Sequence, residues 1–491
     1  MSSVSSGASS SGSRSIVGGL VWLHRWTGLC VCLFLALWFA SGAVMLFEPF
    51  PSLPQGERLS RGESVQPESI GVTPAAALAA SPQVDSLQLR ARDGQPVYVL
   101  GSKDRPPVIV DANSGGVLGD IGAEAAGRIA QAFSGVKPLR IDARVEYDQW
   151  VVHQGFDAGR PYHRVKLDDA AGTVLYVSAR TGEVLQKTTR RQRTLNWLGA
   201  VPHWIYWTAI RQHWSFWDSL VWWISLVGLG SAVLGFILGI YRYVQSRARG
   251  GSGWRVYVSW WRWHHVLGLV AGIFLLGWML SGWLSMDHGR LFSRGSASTQ
   301  AVAAMSGLPL AARAEGVSLA ALAAVGPAAS IELRAVAGRA FLEVKRQSGR
   351  SDVFLEGQDR STALPGNLIF DGLRKAYPAP ARIDERPSGD SDLYPMAEEL
   401  PDRARAYDVQ LASRHLVYVD ATTGEILVDM DPSRRSYAWL YYALHTSRFP
   451  GLAGRDALRI PLMLLLLAGG FALSVTGVLI AYRRLRSVAL K

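Results

Sequence analysis

Two histidines stand at the start of two long apolar runs. His24 lies in LHRWTGL (23–29) and His264 in WHHVLGL (263–269), and a glycine follows each four residues later, Gly28 and Gly268. On a helix of roughly 3.6 residues per turn, positions 24, 28, 31, 35, 38 and 42 share one face. That stripe reads His, Gly, Val, Leu, Trp, Gly in the first run and His, Gly, Ala, Leu, Trp, Gly over 264–282 in the second. Neutral imidazole is a common axial ligand of haem iron. A glycine one turn along removes the side chain that would obstruct a flat macrocycle. Two such helices would offer His24 and His264 to opposite faces of one group. Gly42 and Gly282, about 27 Å further along at 1.5 Å per residue, would make similar room at the other end. For a single His–Gly pair the plainer reading is a solvated interfacial histidine and a glycine that serves helix packing.

A second duplicated pair belongs to that other end. His203 and His445 each lie some fifteen residues before a further apolar run, in LNWLGAVPHWIYW and YAWLYYALHTSRF. Trp and Tyr favour the membrane interface, so these segments read as flat-lying helices that return a histidine to the bundle mouth. Arg25, Arg262, Arg211 and Arg448 are placed to meet the carboxylates of a bound macrocycle. His265, His213 and His288 have no duplicated counterpart and are reserve ligands, the last two for the outer position. His153, His163 and His415 fall between the runs and read as ordinary surface residues.

The elements that must position these residues are membrane-length. Of 491 residues, 49% are hydrophobic and 18 are tryptophan. Four stretches carry no charge: 26–47, 219–241, 266–286 and 460–482. Each can cross a bilayer core of roughly 30 Å as a helix. The first is longer than a secretory-signal core and its pattern recurs at 264–282, so it reads as an uncleaved anchor. The net charge of +12 is not a nucleic-acid signature, because eleven positive charges and no acidic residue sit in 1–25, 242–262 and 483–491. These short segments are expected in the cytoplasm, with both termini inside and the loops 48–218 and 287–459 outside. Cys30 and Cys32, the only cysteines, read as apolar filler in the first span, with no disulfide or sulfur metal site.

The halves repeat. At a shift of 240, eight of the nineteen positions 24–42 are identical, including His24/His264, Trp38/Trp278 and Ser41-Gly42/Ser281-Gly282. At a shift of 242, Tyr176-Val177 meets Tyr418-Val419, Thr181-Gly182-Glu183 meets Thr423-Gly424-Glu425, and His203 meets His445. The chain therefore reads as two parallel copies of helix, external domain, helix, related by a pseudo-two-fold near the membrane normal. VLYVSARTGEVL (174–185) and LVYVDATTGEIL (416–427) are strand, Gly-containing turn and strand, with VIVDANSGGVL (108–118) a weaker version. TPAAALAA (73–80) and SLAALAA (318–324) are helix starts. A helix followed by an antiparallel meander fits each unit, twice per loop. Ser/Gly-rich 1–15 and 294–301 read as linkers.

LHRWTGL opening a span, the YVDATTGEIL hairpin, and LHTSRFPGLAGRDALR leading into SVTGVLIAYRRLR resemble the PepSY-associated transmembrane family over essentially the whole chain. The resemblance implies an integral-membrane bundle of four helices with two large periplasmic α+β, PepSY-like domains. The expected boundaries are a tail (1–15), helix one (16–47), a first periplasmic domain (48–193), an interfacial segment (194–218) and helix two (219–243). A cytoplasmic loop (244–261), helix three (262–286), a second periplasmic domain (287–434), an interfacial segment (435–459), helix four (460–482) and a tail (483–491) complete the chain. Family members include bacterial inner-membrane ferric-siderophore reductases that carry b-type haems. The implied function is electron transfer across the membrane to a periplasmic ferric chelate, with two haem b groups held by His24/His264 and His203/His445. Tyr147, Trp150, Tyr162 and Tyr394 are candidate aromatic contacts for the chelate. No Gly-x-Gly-x-x-Gly lies between a strand and a helix, and there is no P-loop, zincin motif or Ser-His-Asp arrangement; GLGSAVLG (228–235) lies inside a span. Electrons must then come from a separate cytoplasmic reductase or membrane quinol, and no nucleic-acid partner is expected. The alternative is a non-enzymatic, membrane-anchored binding or regulatory protein.

Overall fold

The computed structural model describes residues 8–142, 144–357, 359–378, 382–386 and 400–489. Among the described residues, three helices are long and apolar enough to cross a membrane: α1 (Ala8–Met45), α2 (Trp214–Ala248) and α5 (Asp456–Ala489). Their best windows reach mean hydropathies of 2.1–2.3. The third uncharged run is two helices, α3 (Ser259–Val270) and α4 (Gly272–Ser285), bent by 65° at Ala271. Gly272 follows the bend directly. It lies under the Phe236 ring of α2, where a Cβ would come within 2.7 Å of Phe236 Cδ2. Val31, Leu35 and Phe39 of α1 bury against Leu275, Trp278 and Met279 of α4 and Met463, Leu467 and Leu473 of α5. The stripe that recurs at a shift of 240 thus faces the bundle core.

The remaining chain forms antiparallel meanders preceded by short helices. Thr73 caps Pro74–Leu78 by accepting from Ala76 N, and Ser318 caps Leu319–Ala324 in the same way from Ala321 N. The strands that follow are β1 (Ser86–Arg92), β2 (Gln95–Gly101), β3 (Val108–Asp111) and β4 (Val117–Leu118). In the second half their counterparts are β9 (Ser330–Val336), β10 (Arg339–Lys345) and β11 (Ser351–Leu355). These seven make one sheet, ordered β11-β10-β9-β1-β2-β3-β4. The reading of two separate domains does not anticipate this shared sheet. At its centre β1 pairs antiparallel with β9, and Leu89 faces Ile331, 242 positions on. Positions related by the 242-residue shift therefore face each other at this pairing.

Each half adds a four-stranded meander. The first is β5 (Pro138–Ile141), β6 (Tyr162–Leu167), β7 (Val174–Ser178) and β8 (Val184–Thr188). The second is β12 (Arg382–Arg386), β13 (Ala404–Gln410), β14 (Arg414–Asp420) and β15 (Ile426–Met430). An amphipathic helix covers each. Ala126, Ile129, Ala130 and Phe133 of Ala123–Ser134 bury on Val165, Leu175 and Val177. Leu368, Ile369 and Leu373 of Gly366–Ala376 bury on Tyr407, Val409 and Val417.

The repeated Thr-Gly-Glu turns join these meanders to the large sheet. Glu183 pairs with Arg90 of β1, and Glu425 with Arg334 of β9 at 3.2 Å. Gly182 (φ 71°) and Gly424 (φ 67°) hold the left-handed turn between the strands. A Cβ on Gly182 would lie 2.9 Å from Arg92 Cγ, and one on Gly424 2.1 Å from Val336 Cγ2. The motif docks one sheet on the other in both halves.

Candidate functional site

Four histidines project into the bundle from four separate elements. His24 of α1 lies over Gly235 of α2, where a Cβ would stand 2.6 Å from its Cε1. Its Nδ1 is 3.0 Å from the Ser231 carbonyl. A carbonyl only accepts, so the proton is assigned to Nδ1. His264 of α3 lies over Gly477 of α5, and its Nδ1 is 3.0 Å from Thr476 Oγ1. That hydroxyl donates to the Leu473 carbonyl, so its oxygen receives the Nδ1 proton. The two imidazoles face each other with centroids 6.4 Å apart and planes inclined by 37°.

The second pair sits at the sheet-proximal end. His203 belongs to the short helix Ala200–Trp204, and its Nδ1 lies 3.1 Å from both the Trp38 carbonyl and Ser41 Oγ. His445 ends a π-helical turn, Trp439–His445, a local geometry frequent at functional sites. Its Nδ1 lies 3.1 Å from Ser281 Oγ. Ser41 and Ser281 donate to the Trp38 and Trp278 carbonyls, so each hydroxyl oxygen accepts from its histidine. Burial pushes His203 down to about 4, with the nearby His445 adding to the effect, and burial likewise pushes His445 to about 4. Both rings are neutral at pH 7.

Among the described residues no hydrogen bond reaches Nε2 of any of the four. Each imidazole thus has a tethered Nδ1–H and a lone pair at Nε2, the arrangement by which metal-ligating histidines are oriented. Nor is there, among the described residues, a group of three or more His, Cys, Asp or Glu side chains able to hold a metal ion. Pairs of axial nitrogens suit a metal whose other positions are filled by a macrocycle. Two imidazoles binding one metal from opposite sides at about 2 Å each place their centroids about 6 Å apart. The His24–His264 separation of 6.4 Å fits a haem iron between the rings.

Several expectations are corrected. Gly28 and Gly268 do not adjoin the rings they accompany in sequence: a Cβ on either would meet only Ser231 Oγ or Leu473 Cδ1, at 3.8 Å. The close seat is Gly235, on α2; a Cβ on Gly477 of α5 would be in ordinary contact with His264, 3.6 Å from its Cε1. Gly42 and Gly282 make room for imidazoles, since a Cβ there would lie 3.4 Å from His203 Cε1 and 3.2 Å from His445 Cε1. Among the reserve ligands, His265 Nε2 is 2.9 Å from the Gly253 carbonyl, His288 pairs with Asp218 at 2.6 Å, and His213 is exposed at the start of α2.

The remaining residues singled out by sequence also have definite places. Arg211 is buried, bonded to Gln154 Oε1 and boxed by Tyr206, Trp214 and Trp217, whereas Arg25 and Arg262 are exposed. Arg448 follows His445 closely, its N–H donating to the Tyr442 carbonyl. His163 is buried and bonded to the Ile121 carbonyl, His415 pairs with Asp429, and His153 is half-buried against Phe156, so none is a plain surface residue. Trp150 and Tyr162 are core residues and so cannot contact a chelate; Tyr147 is exposed under Arg160, and Tyr394 lies outside the described residues.

The family model described as the PepSY-associated TM region matches residues 21–484, a stretch that includes all four histidines. No curated protein matches the chain.

Proposed function

The chain belongs to the PepSY-associated transmembrane family, and from its bundle histidines we propose an oxidoreductase that moves electrons across the membrane to a ferric chelate. α3 and α4 together form a fourth span, and the two halves are copies of one unit. The arginine-rich, acid-free end faces the cytoplasm of a bacterial inner membrane, and the sheets lie in the periplasm. His24 with His264 would hold one haem b toward the cytoplasm, and His203 with His445 a second toward the periplasm. Haem, when bound, supplies reversible one-electron chemistry.

The chain's own residues do the positioning. Ser231, Thr476, Ser41 and Ser281 hold each Nδ1–H and so keep each ring's Nε2 available. The packed core of Leu35, Phe39 and Trp278 keeps water out between the two positions. Ferric iron in a siderophore is held by hard oxygen donors that bind the ferrous ion far less well, so its reduction releases the metal. Electrons reach the cytoplasmic side from a separate reductase or quinol. The observation that carries this reading is the shared state of the four histidines. Protein purified in detergent should be red, with a Soret band, split reduced α-bands and two haems per chain by pyridine haemochrome. A colourless protein would leave the non-enzymatic tether as the better reading.

A further inference from the structure

A small cleft of about 80 Å³ opens where the two halves meet in the large sheet. The first half contributes Arg58 of the short helix Gln55–Arg61, Arg90 of β1 and Glu183 of the docking turn. The second half contributes Ser330 of β9 and Lys345 of β10. Most of these charges are spent. Arg90 pairs with Glu183, and Lys345 with Glu332 at 2.8 Å. Two groups are not. Among the described residues the Arg58 guanidinium makes no hydrogen bond or ion pair, and the Ser330 hydroxyl, in a residue only 4% exposed, has no partner. A buried polar atom left unpaired in a cleft calls for an explanation.

The rest of the wall restricts the answer. Ile129, Phe133 and Val184 give it an apolar floor. Burial pushes the Glu183 carboxyl up, but Arg90, Arg58 and Lys345 together hold it below the ordinary range, so positive charge converges here. An inorganic anion would use the donors and waste the floor; a neutral apolar molecule would do the reverse. We propose that this cleft binds a small organic carboxylate, its charge on Arg58 and Ser330 and its carbon body on Ile129 and Phe133. A guanidinium suits a carboxylate because its fork of N–H donors matches both oxygens. Because both halves supply the walls, an occupied cleft ties them together. The site lies among the sheets and its occupancy requires no electron transfer, so it stands or falls separately from the haem reading.

The test is calorimetric titration of the full chain in detergent with benzoate, benzamide and inorganic phosphate. Benzoate should bind, with benzamide and phosphate each weaker by about tenfold or more, because a hydrogen bond to a charged group or a buried ring is lost. Arg58→Gln should weaken benzoate about tenfold or more, Arg58→Lys should recover part of that, and Ser330→Ala should lose several-fold. Arg58 lies on a half-exposed helix, and Arg58→Lys keeps its charge should Arg58→Gln fail to fold. The proposal is overturned if benzoate does not bind the unmodified chain, if Arg58→Gln binds it equally, or if phosphate or benzamide binds as tightly.

Discussion

At the scale of single residues, the tethered imidazole is the unit that repeats. Each of the four histidines spends Nδ1 on an acceptor fixed by a helix and leaves Nε2 over. The glycines that seat them make this sharply testable. Gly235→Ala would drive a methyl into the His24 ring, where the nearest atom is 2.6 Å away, and a helix backbone cannot yield that far. It should remove the haem proposed for the sheet-distal position and leave the other, as His24→Ala should, in reduced-minus-oxidised spectra. Gly28→Ala has only an ordinary contact at 3.8 Å and should keep both. The opposite ranking would restore the reading in which the glycine one turn along makes the slot. The histidines were legible because two pairs recur at fixed offsets. Their seats were not, because Gly235 and Gly477 are brought over His24 and His264 by packing between helices more than 200 residues apart, which no local spacing encodes.

Secondary elements divide along the same line of local against distant. The hairpins around Thr181-Gly182-Glu183 and Thr423-Gly424-Glu425 could be read from alternation and a turn glycine, and both are present as β7–β8 and β14–β15. The bend at Ala271 could not, since the uncharged run 266–286 carries no proline to mark it, and the packing of Phe236 on Gly272 beside it comes from another helix. Nor could the β1–β9 pairing, which joins strands 242 residues apart at Leu89 and Ile331. The function of the Thr-Gly-Glu repeat follows only from that distant packing. Gly424→Ala should lower the local opening free energy of β14–β15 by about 2–4 kcal/mol, from strain at positive φ plus overlap with Val336. Gly94→Ala, also at positive φ (78°) but with nothing within 4 Å, should cost its own hairpin only about 1–2 kcal/mol. Hydrogen exchange of the strand amides measures both. Equal losses would mean that the turn is not a docking surface.

For the whole molecule, the proposed arrangement of two parallel units in one bilayer would make the ends of the bundle unlike, and the proposed electron path follows from that polarity. Reporter fusions after residues 120 and 350 should both read periplasm, and a fusion at 250 cytoplasm; a cytoplasmic signal at 350 would break the duplicated-unit reading. Function then requires both histidine pairs in series. His24→Ala and His264→Ala each leave the sheet-distal position one axial nitrogen short, and His203→Ala and His445→Ala do the same to the sheet-proximal position. The first two should lose one haem from the pyridine haemochrome count; the last two should lose the other and leave the first reducible. All four should abolish ferric-chelate reduction by intact cells, because a series path stops at any missing link. The variants should still insert, since the spans rest on apolar length and the bundle core on Leu35, Phe39, Trp278 and Leu467, none of which these changes touch. If His203→Ala and His445→Ala keep both haems while removing His213 or His288 takes one away, the duplicated pair is not the ligand set. If all four keep full haem and full reduction, the electron path through these histidines is wrong.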